Sequence, residues 1–344
     1  MNDSKHSIQH FSKPESAEIS IIIQGAVADC TAEVIAKLRL ILPQAEIILS
    51  TWEGQAVLSC HADQIVLSKD PGNFVQNHKI KGAGHFNNAN RQIVSSIAGL
   101  KAASRKYALK TRTDIFIEKN EWLNIFGKYD EHTPPSIFNK RLLICNYYSR
   151  NPRIFPLPFH WGDWVFFGET CDLIDVFDIP LMDGDDRVWF EINERSNLLF
   201  SDNINRYLPE QWILSSFLRK HMNLNFDTFY DASKINVIIT ERFFTENTVI
   251  LDIEQWGINF VKYNPNRYKD KSTILHFKDW LVLYKRYVLH KKGISWLMYL
   301  GRGILWRVIH YCFRPLFVIV LSKLGIKEKV RLFLNRDKAQ VDKN

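Results

Sequence analysis

The stretch KYALKTRTDIFI, residues 106–117, passes from apolar to charged side chains and then becomes apolar again. Arg112 and Asp114 stand two positions apart at this break, at the end of a predicted buried strand. A carboxylate beside an arginine at the end of a strand has two possible roles. The two side chains can form an ion pair that only stabilises the fold. Alternatively they face a ligand, because ligands of open α/β sheets bind beyond the carboxyl ends of the strands.

Several other strand ends are expected to lie beside Asp114. The periodicity predicts strands at 18–25, 45–52, 62–72 and 106–117, and helices at 31–42 and 87–104. This order favours a mainly parallel sheet flanked by helices. One crevice would then be lined by the strand ends Gln24-Gly25, Thr51-Trp52, Asp70-Pro71 and Thr113-Asp114. Neither GxGxxG nor GxxxxGK[ST] occurs at these ends, which argues against a dinucleotide dehydrogenase or a P-loop enzyme.

Asp163 is a candidate for contact with a sugar. It lies between Trp161 and Trp164 in FHWGDWVFFG, residues 159–168, which we interpret as an aromatic strand interrupted at Gly162-Asp163. Aromatic rings stack on the C–H faces of sugars, and a neighbouring carboxylate can bind their hydroxyl groups. The alternative interpretation is a β-bulge whose tryptophans belong to the core.

Glu210 is a second candidate carboxylate. It follows Pro209 at the start of a predicted helix, residues 207–221. A helix N-terminus also favours glutamate for stability alone, so this position does not by itself indicate chemistry. The acidic run DGDD, residues 183–186, is a third candidate and has the composition of a solvated loop.

The charge is distributed unevenly along the 344 residues. Residues 281–344 hold 14 Lys and Arg against 3 Asp and Glu, whereas the remainder holds 31 against 34. We therefore divide the chain into a disordered leader, 1–17, a folded domain, 18–280, and a basic helical region, 281–344. A basic region of this kind indicates an anionic partner.

The five cysteines are scattered and form no CxxC pair, which indicates reduced thiols and argues against a zinc site. The N-terminal residues lack the apolar core of a signal peptide. From these two features we expect the protein to lie in the cytoplasm.

Eight short segments occur in an order that resembles the WavE family of bacterial lipopolysaccharide-synthesis proteins. They are ISIIIQGAV, LPQAEIILSTWEG, DQIVLSKDPG, NNANRQIVSSIAGLKAA, KYALKTRTDI, NYYS, FHWGDWVFFG and PEQW. The resemblance covers about residues 18–280. It implies a GT-A-like nucleotide-sugar transferase fold acting on lipopolysaccharide or capsular polysaccharide. It also implies a divalent cation, Mn²⁺ or Mg²⁺, that offsets the charge of the leaving diphosphate.

The resemblance also implies roles for particular residues. Asp114 takes the place of the last carboxylate of an Asp-x-Asp metal motif, but Arg112 replaces the first, so Arg112 would contact the phosphates. His276, in ILHF, would be a second metal or diphosphate contact, or else a core histidine. Glu210, or next Asp163, would be the base that takes the acceptor's proton. The nucleoside and phosphates would be contacted by Gln24, Gly25, Thr51, Asp70, Asn90, Arg91 and Arg112. The alternative is that Asp70 caps the turn at Pro71-Gly72 and that Arg91 is an exposed charge on its helix.

The basic region has the composition of helices that lie in a membrane interface. Its longest uncharged run, residues 315–322, is far shorter than the roughly 20 residues that span a bilayer. A broad apolar face is predicted to contain Trp296, Leu297, Leu300, Ile304 and Leu305. We expect peripheral binding to anionic lipid at the inner face of the bacterial cytoplasmic membrane, and no nucleic acid partner. A helical subdomain packed on the core is the alternative.

Two other functions fit the same sequence. A non-catalytic, membrane-bound glycan-binding or assembly factor would keep the nucleotide fold without a complete metal motif, which Arg112 suggests. A sugar-phosphate transferase would use the same crevice to move phosphate together with the sugar.

Overall fold

A computed structural model of the chain describes residues 13–57, 59–77, 85–131, 136–194, 203–260 and 273–325. Its strands in these residues are β1 Ile19–Gln24, β2 Glu46–Trp52, β3 Gln64–Ser68, β4 Phe74–Asn77, β5 His85–Asn87, β6 Tyr107–Arg112, β7 Ile115–Ile117, β8 Leu142–Cys145, β9 Phe166–Glu169, β10 Thr248–Leu251 and β11 Ile258–Phe260. Seven of them form the central sheet in the order β10-β8-β9-β6-β1-β2-β3. All neighbours are parallel except β9, which is antiparallel to both β6 and β8. The predicted α/β fold with a mainly parallel sheet is confirmed.

Helices flank the sheet, and several of them, such as α1, α2 and α5, bury an apolar side. Those in the described residues are α1 Thr31–Ile41, α2 Ala89–Ala102, α3 Thr170–Phe177, α4 Trp189–Ile192, α5 Pro209–His221, α6 Lys234–Asn247, α7 Ile253–Trp256, α8 Phe277–Tyr287, α9 Ile294–Val308 and α10 Arg314–Lys323. The α2 backbone lies close to β1 and β2 at Gly99. A Cβ atom at Gly99 would lie 2.6 Å from Ile22 Cγ2 and 2.9 Å from Ser50 Cβ, so only glycine permits this approach.

The strand predicted over 106–117 is interrupted. Its first part is β6, whereas Thr113 and Asp114 form a turn. The apolar residues that follow leave the central sheet as β7, which pairs in antiparallel fashion with β11. The break therefore places Asp114 at an edge where the chain changes direction.

The strand predicted over 159–168 is also wrong in its first part, because only β9 is extended in the sheet. Residues 159–165 form a buried loop instead. Gly162 fits there because its missing Cβ would lie 2.3 Å from the Cys145 carbonyl oxygen and 2.4 Å from that of Tyr147. The loop is thus fixed by close backbone packing against the residues that follow β8.

The predicted domain boundary after Trp280 falls inside α8. Leu283, Tyr284 and Val288 are buried in the same apolar core as β1 and β6. Of the predicted leader, residues 1–12 lie outside the described residues, and Ser16–Glu18 forms a 3-10 helix.

Candidate functional site

A cavity of about 690 Å³ opens at the carboxyl ends of β1, β2 and β6 and the N-terminal ends of α1 and α2. The residues that line the cavity are Gln24, Gly25, Ala26, Val27, Ala28, Asp29, Cys30, Trp52, Gln55, Asp70, Asn88, Arg91, Gln92, Arg112, Thr113 and Asp114. Six residues predicted to bind the donor or its metal are among them. A volume in this range suits a small organic ligand.

Arg112 and Asp114 form a bidentate ion pair on the cavity wall. Arg112 Nε and Nη2 each donate to one carboxylate oxygen of Asp114, both at 2.8 Å. The guanidinium also lies over the ring of Trp164, with 4.7 Å between its carbon and the ring centroid. Burial, followed by the charge of Asp114, raises the pKa of the neighbouring Cys30 thiol. Both Arg112 and Asp114 therefore border the cavity, but as partners of each other.

A second ion pair lines the same cavity. Arg91 donates from Nε and Nη2 to the two oxygens of Asp70, at 2.8 and 2.6 Å. These hydrogen bonds lower the pKa of Asp70 below its ordinary value. Gln24 accepts a 2.6 Å hydrogen bond from Ser95 at its Oε1. The lining thus carries two guanidinium groups that an anionic ligand can reach only by competing with carboxylates.

Asp163 lies behind this wall. Gln92, which lines the cavity, donates from Nε2 to the Asp163 carbonyl oxygen at 2.8 Å, and Lys110 Nζ donates to the same oxygen. The Asp163 side chain is buried, and its Oδ1 has no hydrogen-bond partner among the described residues. Burial raises the pKa of Asp163, which Lys110 and Arg112 oppose. Burial also lowers the pKa of the enclosed Lys110 ammonium to about 7.

Glu210 lies in the first turn of α5, close enough to Asp163 for the charge of Asp163 to act on it. Burial, and then the charge of Asp163, raises the pKa of Glu210 to about 8. Glu210 Oε2 is 3.5 Å from His160 Nε2. Burial and the charge of Arg150 hold the pKa of His160 well below its ordinary value. At neutral pH a protonated Glu210 therefore lies beside an uncharged imidazole.

The two predicted catalytic carboxylates, 47 positions apart in the chain, thus interact electrostatically in the fold. Two buried carboxyls with raised pKa values form an arrangement typical of sites that hold and release a proton. The family described as WavE lipopolysaccharide synthesis matches residues 19–312. The chain belongs to this family. The resemblance seen in the eight sequence segments is thereby confirmed.

Two solved structures are similar to this WavE-family chain. One is the glycosyltransferase GlyE of Streptococcus pneumoniae TIGR4, with 10% identity and a TM-score of 0.31. The match covers 84% of this chain and 64% of that of GlyE, so this chain spans less than two thirds of GlyE. The other is an active-site mutant of LgtC, with 9% identity, a TM-score of 0.24, and coverage of 54% of this chain and 82% of that one. No curated protein matches the chain.

Three of the residues predicted to bind the donor or its metal do not line the cavity of the WavE-family chain. Thr51 is buried in β2, where the next residue, Trp52, lines the cavity instead. Asn90 exchanges two hydrogen bonds with the backbone of Met182, at 2.9 and 2.8 Å, which uses its amide for packing. His276 precedes α8, and its Nδ1 lies 3.0 Å from Asp252 Oδ1.

The predicted metal ligands do not form a preformed site. Across the ranges that the structure describes, no three His, Cys, Asp or Glu side chains are grouped so as to hold a metal ion. Asp114 is held by Arg112, and His276 by Asp252 and Asn146. The donor set therefore does not fit a preformed divalent cation site.

Three further residues of the site, Lys110, Gln92 and His160, were not predicted from the sequence. Lys110 could have been recognised from the sequence, because a lysine that directly follows the apolar residues YAL in a predicted buried strand needs a buried partner. His160 lies between Phe159 and Trp161, three positions before Asp163, which the sequence analysis had selected as a candidate. The acidic run at 183–186 contributes structure instead, since Asp186 pairs with Arg206 at 3.2 Å.

Proposed function

We propose that the protein is a glycosyltransferase that moves a sugar from a nucleotide-sugar donor to a lipopolysaccharide or capsular polysaccharide acceptor. The observation that carries this proposal is an interacting pair of buried carboxyls with raised pKa values, Asp163 and Glu210, of which Asp163 lies behind a cavity lined by two arginines. Membership of a lipopolysaccharide-synthesis family supports the class of acceptor.

The donor would occupy the cavity. Gln24, Gly25 and Asp70 would contact the nucleoside, and the diphosphate would lie between Arg91 and Arg112. Each guanidinium would exchange a carboxylate for a phosphate, a partner that it binds equally well in bidentate geometry. Trp164, stacked on Arg112, keeps that side chain in place when Asp114 is released.

The acceptor's proton would go to Glu210 rather than to Asp163. Its side chain is 15% exposed, whereas the whole Asp163 residue is 3% exposed, so an acceptor hydroxyl reaches Glu210 more easily. A base works best when its pKa lies near the working pH, which suits the value of about 8 at Glu210. His160 would orient the carboxyl from its other side.

We further propose that the protein works at the inner face of the bacterial cytoplasmic membrane, where lipid-linked saccharide acceptors are accessible, and that anionic lipid is a partner. Within the described ranges, no helix combines the length and hydropathy needed to cross a membrane. Attachment would be peripheral, through the basic C-terminal region.

A non-catalytic glycan-binding or assembly factor is the alternative that one observation favours. The Arg112–Asp114 pair closes the place where a metal–diphosphate would be held. A protein that had lost glycosyltransferase activity would keep the Arg112–Asp114 ion pair intact. The two functions differ in whether a nucleotide binds and turns over.

Thermal unfolding with a panel of nucleoside diphosphates and nucleotide sugars, with and without Mn²⁺, tests the donor site. A ligand at 100 times its Kd should raise the unfolding free energy by about 2.7 kcal/mol. Arg112→Gln should abolish most of this shift. If Asp114 helps to hold a cation, Asp114→Asn should lose the shift that needs Mn²⁺. If it only neutralises Arg112, the same variant should bind without Mn²⁺ and more tightly.

Asp178→Asn, which removes an exposed carboxylate paired with Lys101, serves as the matched control and should bind as the wild type does. Failure of every nucleotide to stabilise the wild-type protein would contradict the donor site and favour the binding factor.

A further inference from the structure

Helix α9 packs on the folded domain through one face. Tyr299 is buried there, and its hydroxyl lies 3.1 Å from Glu241 Oε1. Gly303 is also buried, and a Cβ atom in its place would lie 2.9 Å from Arg153 Cβ. Arg302 donates to Asp279 at 2.6 Å. Trp296, predicted on the outer apolar face, instead stacks on Tyr299, so it belongs to the packed side.

The opposite face of α9 is apolar and exposed. Its side chains recur at spacings of one, three, four and six residues, which places them on one side of a helix. They are between 43% and 77% exposed, and they are Ile294, Leu297, Met298, Ile304, Leu305 and Val308. An amphipathic helix normally buries its apolar side, whereas here the polar network holds the helix and the apolar side faces outward.

The exposed apolar surface continues beyond α9. The exposed large apolar side chains of the next segment are Phe313, Leu316, Phe317, Ile319, Val320 and Leu324. Together the two groups contain 12 of the 20 exposed large apolar residues found in the described ranges. We call these twelve residues the apolar strip. Contiguous exposed apolar patches of this kind mark interaction sites.

The surroundings of the apolar strip are basic. Lys285, Lys291, Lys292 and Lys323 are exposed near its ends. The sequence contains no Asp or Glu from residue 281 to residue 327. An apolar surface bordered by lysines fits anionic lipid, in which acyl chains meet the apolar side chains and headgroups meet the ammonium groups. A second copy of the folded domain offers no matching negative charge, because residues 1–280 are near neutral.

We propose that the apolar strip inserts into the interface of an anionic bilayer and fixes how the protein lies on it. This inference rests on the proposed function, because a transferase that uses a lipid-linked acceptor has to reach the membrane. The apolar strip is the surface that would contact the lipid. Helix α9 has a fixed position on the folded domain, because Tyr299 of α9 and Arg153 of the domain both form hydrogen bonds with Glu241. Arg153 is in turn close in the chain to Arg150, whose backbone N–H donates to the carbonyl oxygen of His160 in the candidate site.

Co-sedimentation of the full chain with vesicles tests this surface. Vesicles of phosphatidylcholine with about one third phosphatidylglycerol should bind the protein, and pure phosphatidylcholine vesicles should bind it at least about tenfold more weakly. The double variant Leu297→Ser/Leu305→Ser should lose at least about tenfold in affinity for the anionic vesicles. Its thermal unfolding should match the wild type, because both side chains are exposed.

The matched control is Leu40→Ser/Ile235→Ser, which removes two equally exposed apolar side chains from α1 and α6. Vesicle binding should not change in this variant. Wild-type affinity of the Leu297→Ser/Leu305→Ser protein for anionic vesicles would overturn the proposal. So would a wild-type dimer in the absence of lipid that the same variant converts to monomers, since a second copy would then cover the apolar strip.

Nucleoside diphosphate stabilisation of both double variants separates this proposal from the proposed function. Retained nucleotide binding with lost vesicle binding supports the apolar strip as the lipid surface. Vesicle binding that follows the prediction in a protein that binds no nucleotide would support the apolar strip while contradicting the donor site.

Discussion

Replacement of Glu210 by glutamine is expected to lower kcat for glycosyl transfer by about 10²- to 10⁴-fold, the usual contribution of a general base. Glutamine keeps the size and the hydrogen-bonding capacity of the side chain but cannot accept the acceptor's proton. KM for the donor should change little, because Glu210 does not line the donor cavity. The measurement is steady-state transfer with the nucleotide sugar that stabilises the protein most.

The pH dependence distinguishes a base from a structural glutamate. With a pKa of about 8, Glu210 is protonated at neutral pH, so wild-type kcat should rise with pH and level off above about 8. Stability should run the other way. The folded protein holds a proton that the unfolded chain releases near 4.5, so the unfolding free energy falls as pH rises from about 4.5 to about 8. Glu210→Gln should flatten both trends.

Glu33→Gln is the matched control, because Glu33 is an exposed glutamate in the first turn of α1. It should leave kcat and its pH profile unchanged. If Glu210→Gln keeps kcat within about threefold of the wild type while Asp163→Asn lowers it, the base is Asp163. Unchanged kcat in both variants would contradict the assignment of this carboxyl pair.

Replacement of Glu241 by glutamine is expected to destabilise the protein by about 3–5 kcal/mol. The Glu241 carboxylate is fully buried and accepts hydrogen bonds from Arg153 at 2.5 and 2.6 Å, from Tyr287 at 2.7 Å and from Tyr299 at 3.1 Å. Removing the charge of Glu241 leaves the mostly buried guanidinium of Arg153 without its counter-ion. The free energy lost in this way exceeds the net contribution of the ion pair to stability. Denaturant unfolding measures the difference.

The control for this effect is Asp178→Asn. Asp178 and Lys101 are 60% and 58% exposed and lie 3.2 Å apart, so their pair should contribute less than about 1 kcal/mol. Equal, small losses in both variants would show that the Glu241 network does not hold α8 and α9 to the domain. Because that network also carries the apolar strip, a large loss would support a fixed orientation of the apolar strip.

The first part of the fold could be predicted because its elements are buried and strongly periodic. β1, β2, α1 and α2 lie within two residues of their predicted limits. The break after β6 could not be predicted, since Ile115 and Phe116 continue the apolar pattern of the strand. Their departure depends on pairing with β11, more than 140 positions later. Tertiary pairing of this kind overrides a local pattern.

The site was predicted in part for a similar reason. Strand ends locate a ligand crevice from topology alone, which found Gln24, Asp70, Arg112 and Asp114. Topology does not show which side chains of β2 face that crevice. Trp52 faces it, whereas Thr51 is buried on the opposite side of the strand. The proximity of Glu210 to Asp163 depends on the packing of α5 against the buried loop, which no spacing in the sequence reveals.

Identification of the reaction products tests whether the protein transfers a sugar. The full chain would be incubated with the stabilising nucleotide sugar, anionic vesicles and a lipid-linked saccharide acceptor, and the nucleotide and lipid products would be identified by mass. Glycosyl transfer predicts nucleoside diphosphate and an acceptor longer by one sugar, in equal amounts, and formation of both at least about 100-fold more slowly with Glu210→Gln. Release of nucleoside monophosphate would instead indicate transfer of sugar phosphate. Donor binding without any product would contradict the proposed function and support a glycan-binding factor.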